Sequence, residues 1–343
     1  MNRRPKSRPS NTPPPKTVPS MGDLREQRDA PFENLLRPRT LGEYIGQARV
    51  KKVLSTAIRA ARSRGEPLDH VLVHGAPGLG KTTLAMIIAG EMGAHLHVTS
   101  GAALQRGADI LAQLNDLAPA DVLFIDEVHR LKKPTEEMLY PALEDFRFDV
   151  AVGKGPSARV MRIPLAVFTM VGATTRLGAL SSPFRNRFGL VFRLDPYGQE
   201  DMVAIARASA ARLGTSLRPD AAAEIARRSR GTPRLANHLL KRSRDYAQAN
   251  GREAVDLETV REALAEMGVD ENGLDEMDRI LLKMLVTRYG GGPLGLKTLA
   301  IATGEDPETV EEFYEPYLIQ AGFLVRTAQG RKATPLAMRV FGT

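Results

Sequence analysis

The 343-residue sequence contains no cysteine, which excludes disulfide bonds, thiolate metal sites and thiol-based catalysis. It also lacks any apolar run near the roughly 18 residues that a membrane span requires. The N-terminus is basic, but no apolar segment follows it, so it does not resemble a secretory signal. Hydrophobic residues make up 43% of the chain and charged residues 26%, which is typical of a globular protein in water. We therefore expect a cytoplasmic protein.

The net charge of +8 is unevenly distributed along the chain. Residues 1–20 contain five Lys or Arg, six Pro and no acidic residue. Such a segment cannot bury enough apolar surface to fold, so we predict a disordered basic tail over residues 1–30. The tail could bind polyanions weakly, or it could serve only as a solubilising extension. The positive charge as a whole is a mild indication of a nucleic-acid partner.

The segment GAPGLGKTTLA fits the phosphate-loop pattern G-x-x-x-x-G-K-[ST]. Gly75, Gly78 and Gly80 allow backbone N–H groups to turn inward around phosphate oxygens. Lys81 is expected to reach the β- and γ-phosphates of ATP, and the Thr82 hydroxyl to complete a Mg²⁺ site. The alternative is a glycine-rich surface loop, but an apolar strand precedes the motif and an apolar helix follows it. The context therefore favours a nucleotide site.

Two further strand ends carry polar residues suited to triphosphate hydrolysis. The run DVLFIDEVHR ends in Asp126 and Glu127, which we expect to hold Mg²⁺ and to polarise the attacking water, respectively. The alternative is that these acids only cap the helix that follows. The run GATTR follows another apolar strand, and either Thr174 or Thr175 is expected to sense the γ-phosphate. The residues alone do not decide between the two.

Arginines beyond these strands are candidates to contact the same phosphates. Arg185 and Arg187 lie in SSPFRNRFG, where exposed arginines are ordinarily solvated. An arginine supplied by a neighbouring subunit can, however, stabilise the charge that develops at a triphosphate, which requires a ring of subunits. Arg234, in GTPRLAN at the start of a predicted helix, could reach the phosphates from another side.

The order of predicted elements divides the chain after its tail into three parts. Over residues 31–197, apolar runs (HVLVHG, HLHVTS, DVLFID, VFTMVGATT and LVFRLD) alternate with helical stretches, which indicates a parallel sheet covered by helices. Residues 198–268 predict four helices, and residues 269–343 predict three helices followed by the hairpin FLVRTAQGRKAT. The last pattern is typical of a winged-helix module. Such modules bind DNA more often than they serve as protein contacts.

A second predicted hairpin, FDVAVGKGPSARVMRIPL, begins at Phe148. Phe148, Val150 and Val152 alternate with Asp149, Ala151 and Gly153, so one face should be apolar. We expect this face to be exposed and to dock a partner protein.

These motifs together resemble the RuvB family of AAA+ ATPases, which drive branch migration of Holliday junctions. The resemblance runs from about Leu36 to the C-terminus and is carried by LRPRTLGEYIGQ, HGAPGLGKTTLA, FIDEVHRL, YPALEDF, GATTRLGALSSPFRNRFG and RGTPRLANHLLKR. One departure is Ala76, where the family usually has a second proline. The implied fold is α/β, with an AAA+ P-loop core around a parallel sheet, a small helical lid domain and a C-terminal winged-helix domain.

The resemblance also implies site residues. Arg187 matches the arginine that acts on a neighbouring subunit, Arg234 matches the second sensor, and Tyr197 is expected to close over the adenine. The implied DNA contacts are Arg326 and Arg331 on the wing. The nucleotide contacts implied by the family are Leu36, Arg37, Gly78, Lys81, Thr82, Thr83, Glu144, Asp145, Phe146, Arg187, Tyr197 and Arg234.

The implied assembly is a homo-hexameric ring on double-stranded DNA that works with a RuvA-type partner. That partner would dock on the hairpin of residues 148–163, and a RuvC-type resolvase is a further implied partner. Two other classes of protein remain alternatives. A clamp loader or protein-remodelling ATPase shares the core, but the winged-helix ending and the lack of zinc-ligating cysteines weigh against it. A non-hydrolysing, nucleotide-gated DNA-binding protein would be expected to lack Glu127 or the arginines.

Overall fold

The computed structural model describes residues 32–152 and 159–342. The predicted tail of residues 1–30 and the tip of the second hairpin lie outside the described residues. Within the described ranges, no helix is both long enough and apolar enough to cross a membrane.

Besides the helical residues 32–36, the described part of the core contains seven strands and five further α-helices. In chain order they are α1 (Ala48–Arg64), β1 (Val71–His74), α2 (Lys81–Met92), β2 (Leu96–Ser100), α3 (Gly107–Asn115), β3 (Val122–Asp126), α4 (Lys133–Glu144), β4 (Arg147–Val152), β5 (Arg159–Pro164), β6 (Thr169–Thr174), α5 (Ser182–Arg185) and β7 (Leu190–Arg193).

Five of these strands form a parallel sheet in the order β2-β3-β6-β1-β7. They are the five apolar runs that the sequence predicted. Along β3, Val122 and Phe124 pack into one apolar cluster, whereas Leu123 and Ile125 pack into another, so both faces of the sheet are covered. Because the carboxyl ends of parallel strands meet at one edge, the ends of β1, β3 and β6 lie side by side.

Four helices follow the sheet and are called here the helical unit. They are α6 (Gln199–Arg212), α7 (Pro219–Arg228), α8 (Pro233–Ala249) and α9 (Leu257–Glu266). Proline occupies the first turn of α7 and of α8, where its missing N–H costs no hydrogen bond. The apolar residues of this unit continue the cluster that covers one face of the sheet, so α8 begins beside the sheet.

The remaining residues form a C-terminal unit with its own apolar cluster. Its elements are α10 (Glu276–Lys283) with a π-helical extension (Met284–Arg288), α11 (Leu296–Thr303), α12 (Pro307–Thr309) with a π-helical segment (Val310–Tyr314), α13 (Glu315–Gln320), β8 (Leu324–Thr327), β9 (Gly330–Ala333) and α14 (Pro335–Phe341). The predicted helices and hairpin are confirmed. Asp306 caps α12, since its Oδ1 accepts the Glu308 amide at 2.8 Å.

Helix α14 was not predicted. The sequence indicates this helix only weakly, because Thr334 as N-cap and Pro335 in the first turn are the features that mark its start. The seven-residue helix packs on the C-terminal cluster through the buried Ala337.

The second hairpin pairs β4 with β5 in antiparallel register, with Phe148 opposite Ile163 and Val150 opposite Met161. The prediction of a hairpin is confirmed over its described residues. The prediction that its apolar face is exposed is wrong for Phe148, which is only 3% exposed and packs into the core. The exposed apolar side chains lie on β5 instead, at Val160 and Met161, which are 64% and 51% exposed.

The helical unit and the C-terminal unit are joined through Arg230, which precedes α8. Its guanidinium donates to Asp278 at 2.5 Å and lies 4.2 Å from the centre of the Tyr317 ring. Asp278 is fully buried, and that burial raises the pKa of its carboxyl to about 6. This joint is therefore a buried, multiply bonded contact.

Candidate functional site

The glycine-rich loop lies between β1 and α2, at the carboxyl edge of the sheet. A Cβ at Gly78, where φ is +77°, would lie 2.7 Å from Cγ2 of Thr232. A Cβ at Gly75 would lie 2.6 Å from the Leu194 carbonyl oxygen. These positions admit no side chain, because the loop backbone fits closely between the end of the sheet and the helical unit.

Lys81 folds back over this loop. Its Nζ donates to the carbonyl oxygens of Gly75 and Ala76, at 2.9 and 3.1 Å. Burial lowers the pKa of Lys81, while the nearby Glu127 and Asp126 act in the opposite direction. Both hydrogen-bond partners are neutral, so a phosphate can replace them without breaking an ion pair.

Asp126 and Glu127 lie at the end of β3, beside the loop. The Asp126 carboxylate accepts the Glu127 amide at 2.9 Å, and Glu127 has a φ of +45°, which turns the backbone after the strand. The Glu127 carboxylate accepts the Thr175 hydroxyl at 3.3 Å and lies 3.1 Å from Nδ1 of His129. The two neighbouring acids thus have different partners, as expected for different roles.

The two candidate threonines also differ. Thr174 is fully buried, and its hydroxyl lies 2.9 Å from Nδ1 of His129 and accepts the Arg176 amide at 2.9 Å. Thr175, by contrast, contacts Glu127 directly. Burial is the main cause of the lowered pKa of His129, and its Nδ1 lies within hydrogen-bond distance of both the Thr174 hydroxyl and the Glu127 carboxylate.

A pocket opens in front of the loop, between the core and the helical unit. The predicted site residues that line it are Leu36, Arg37, Gly78, Lys81, Thr82, Thr83, Asp126, Glu127, Tyr197 and Arg234. Tyr197 is buried, and its hydroxyl donates to the Leu79 carbonyl at 3.3 Å and lies 3.1 Å from the hydroxyl of Tyr44. The pocket therefore has an apolar end at Leu36 and Tyr197 and a charged end at Lys81.

Glu33 is a pocket residue that the sequence analysis missed. Its carboxylate lies 3.3 Å from a guanidinium nitrogen of Arg37 and 3.1 Å from Nε of Arg234. The only sequence signal is the spacing of four residues between Glu33 and Arg37, which suits a helical ion pair. One carboxylate thus bridges two arginines expected to contact nucleotide.

Four predicted nucleotide contacts do not line this pocket. They are Arg187 and three residues at the end of α4, namely Glu144, its last residue, and Asp145 and Phe146 after it. Arg187 instead contacts Glu144, with a guanidinium nitrogen 3.2 Å from the carboxylate, and its guanidinium carbon lies 3.9 Å from the centre of the Tyr140 ring. Tyr140 was also missed, although the stretch YPALEDF places it one helical turn before Glu144. Arg187, Glu144 and Tyr140 form a separate cluster, called here the arginine cluster.

The predicted DNA contacts lie together on the wing. Arg326 and Arg331 are direct cross-strand partners on β8 and β9. Both contact Glu315, whose carboxylate is 1% exposed, and Arg326 also contacts Glu311 at 2.9 Å. The two arginines are therefore paired with acids of the same unit.

A phosphate loop, paired acids at the next strand end, a helical unit over the pocket and a winged helix define a P-loop ATPase of the AAA+ class. Three consecutive family models match this chain: the "Holliday junction DNA helicase RuvB P-loop domain" over residues 36–194, the "RuvB AAA lid domain" over 197–270 and the "RuvB C-terminal winged helix domain" over 271–342. The chain belongs to the RuvB family, so its pocket is a nucleotide site.

Relatives agree over most of the chain. The "Holliday junction branch migration complex subunit RuvB 2" of Synechococcus sp. is 57% identical over 310 residues, which cover 90% of this chain and 84% of the relative. The RuvB subunit of Thermobifida fusca is 55% identical over 92% of this chain and 90% of the relative. The solved Thermotoga maritima RuvB Holliday junction branch migration motor superposes with a TM-score of 0.82 at 46% identity, covering 90% of this chain and 98% of that structure.

Proposed function

We propose that this protein is an ATP-driven DNA motor that promotes branch migration of Holliday junctions in recombination and DNA repair. The observation that carries the proposal is a single pocket bounded by the phosphate loop, Asp126 and Glu127, in a chain that also ends in a winged helix. The names of the relatives and of the matching structures support the same activity.

The pocket residues divide the work of hydrolysis. Lys81 and the loop amides hold the phosphates, and Glu127 polarises the attacking water with Thr175 fixing its carboxylate. Thr82 and Asp126 supply a hydroxyl and a carboxylate, which is a suitable donor set for Mg²⁺. A Mg²⁺ ion held by these two residues would supply positive charge that offsets the charge developing on the phosphates.

The remaining pocket residues bind the base and the ribose, and they respond to whether a nucleotide is bound. Leu36 and Tyr197 form the apolar end for the base, with Arg37 beside them. Arg234 belongs to the helical unit but lines the phosphate end, so it can pull that unit towards a bound nucleotide. We assign residues 31–197 to the ATPase domain, 198–268 to the lid and 269–343 to the DNA-binding winged-helix domain, in keeping with these roles.

The arginine cluster supports a ring of subunits. Arg187 and residues 144–146 lie outside the pocket of their own chain, which suits a role at the pocket of a neighbouring copy. A closed homo-hexamer supplies such a neighbour to every subunit. The exposed Val160 and Met161 on β5 suit docking of a RuvA-type partner, and a RuvC-type resolvase would join the same complex.

A synthetic four-way junction tests the function directly. With ATP, Mg²⁺ and a RuvA-type partner, we expect the protein to separate the junction into two duplexes, and ATP turnover to rise when duplex DNA and the partner are both present. Lys81→Ala should abolish both activities while leaving the fold intact, as judged by circular dichroism. If the unaltered protein hydrolyses ATP but never moves the junction, the motor function is excluded and a clamp-loading or remodelling activity becomes the better hypothesis.

A further inference from the structure

Arg176 connects the catalytic edge of the core to the C-terminal unit. Its backbone amide donates to the Thr174 hydroxyl at 2.9 Å, directly after the strand end that also carries Thr175. Its guanidinium contacts two acids of the C-terminal unit, Glu308 at 3.1 Å and Glu312 through Nε. One arginine thus touches both the predicted phosphate sensor and the unit that carries the wing.

The segment that receives Arg176 also holds the wing. Glu311 and Glu315 lie on the same continuous helical stretch, residues 307–320, and contact Arg326 and Arg331. Glu308 and Glu312 are four residues apart, as are Glu311 and Glu315, so the stretch presents two adjacent acidic stripes. This stretch is called here the acidic helix. A movement of the acidic helix therefore changes its contact with Arg176 of the core and its contacts with the wing together.

The two attachments of the C-terminal unit differ in strength. Arg230 of the helical unit is 10% exposed and is bonded to the fully buried Asp278. Arg176 of the core is 40% exposed, and its partner Glu308 is 56% exposed. Exposed ion pairs are weak and exchange readily, so the contact with the core is the one that can open while the C-terminal unit stays with the helical unit.

The charges of the two units already act on one another across this contact. The lowered pKa of His129 has burial as its first cause, but Glu312 of the C-terminal unit raises it and Arg176 lowers it. His129 in turn lies beside both Thr174 and Glu127. Glu312 is thus near enough to His129, which lies beside the group proposed to activate water, to act on its charge.

We propose that Arg176 is a positioning residue that couples the nucleotide state of the Thr174 strand end to the availability of the wing for DNA. The inference rests on the proposed function. While Arg176 holds Glu308 and Glu312, the acidic helix keeps Glu311 and Glu315 on the wing arginines. When the strand end shifts with the nucleotide, the helix is released and the arginines can exchange carboxylate for DNA phosphate. Linkage then requires DNA to change nucleotide affinity by the same factor.

The test compares duplex-DNA affinity with and without a non-hydrolysable ATP analogue, in the full-length protein. Two exposed ion pairs can carry a change in affinity of at most about 30-fold in all, so we expect a nucleotide-dependent ratio of roughly 5- to 30-fold. In Arg176→Ala we expect the DNA affinity with the analogue and the DNA affinity without it to differ by less than about twofold. The affinity for the analogue without DNA should not fall, because Arg176 does not line the pocket and its ion pairs no longer have to be released. The matched control is Arg64→Ala, an exposed core arginine whose partner is Glu66.

A charge exchange separates coupling from general damage. Arg176→Glu should lose the nucleotide-dependent ratio, and the double variant Arg176→Glu, Glu312→Arg should recover part of it, since the pair with residue 312 is restored in reverse while Glu308 faces a like charge. If Arg176→Ala keeps the full ratio, the inference is wrong although the motor function stands. If the double variant recovers nothing, the pair does not carry the coupling. If the unaltered protein shows no nucleotide-dependent DNA binding, the inference and the proposed function both fail.

Discussion

The phosphate loop and the wing both present positive charge to phosphates, but they hold that charge differently. Lys81 is held by two neutral carbonyl oxygens of its own loop. Arg326 and Arg331 are held by the carboxylates of Glu311 and Glu315. A nucleotide therefore meets a cation that has no ion pair to break, whereas DNA must displace an acid. The first arrangement favours tight binding, and the second favours a grip that is easily exchanged, as a translocating motor requires.

The largest effect is expected at the arginine cluster, which we propose to act in ATP hydrolysis and not in DNA binding. Arg187→Ala should lower ATP turnover by about 10³-fold or more, the size of effect that an arginine finger supplies, while DNA affinity without nucleotide is unchanged. The measurement is steady-state ATP hydrolysis beside a duplex-binding titration.

Mixing variants tests whether Arg187 acts between subunits. Lys81→Ala subunits have an inactive pocket of their own but an intact Arg187, so adding them to Arg187→Ala should restore part of the turnover. Absence of recovery over all mixing ratios would mean that Arg187 acts within its own chain or not at all.

A smaller effect on the same side is expected at Tyr140, whose ring lies under the Arg187 guanidinium. Loss of a partly buried cation–π contact of about 1–2 kcal/mol should lower kcat by roughly 5- to 30-fold in Tyr140→Ala. Tyr140→Phe keeps the ring and loses only the hydroxyl, which contacts Ser181 and Glu136, so it should retain most of the turnover. Equal losses in the two variants would indicate that the hydroxyl network, and not the ring, supports Arg187.

The sequence predicted the nucleotide side better than it predicted how the units are joined. The loop from Gly75 to Lys81 and the acids after β3 are local patterns, and parallel strands bring their ends to one edge without further information. The contact of Glu33 with Arg234 joins residues 201 positions apart. Such contacts depend on how the helical unit packs against the core. A single arginine or acid in the sequence does not indicate which residue it will contact.

The wing shows the same limit within one unit. The predicted hairpin placed Arg326 and Arg331 on opposite strands, and the structure has them as direct partners. Nothing in the local pattern indicated that Glu315, 11 residues before Arg326, would be buried beneath both of them. Burial of that carboxylate is decided by the packing of α13 against β8, which periodicity alone does not give.

The smallest expected effect concerns the wing itself and has the opposite sign. Glu311→Gln keeps the side-chain size but removes one of the charges that hold Arg326, so duplex-DNA affinity should rise. An exposed ion pair is worth at most about 1 kcal/mol, which limits the gain to roughly fivefold at low salt. If the freed arginine binds a DNA phosphate, binding should release about one more counterion. The affinity should then fall more steeply as the salt concentration rises. ATP turnover without DNA should be unchanged, because Glu311 does not line the nucleotide pocket.

The matched control is Glu276→Gln, which changes the net charge equally at an exposed position in the first turn of α10. A local effect requires that Glu311→Gln raises DNA affinity and that Glu276→Gln does not. Equal gains from both variants would mean that DNA responds only to the net charge of the C-terminal unit. The acids around Arg326 would then not restrain the wing. The contrast between the two phosphate-binding regions would then depend only on how the phosphate loop holds Lys81.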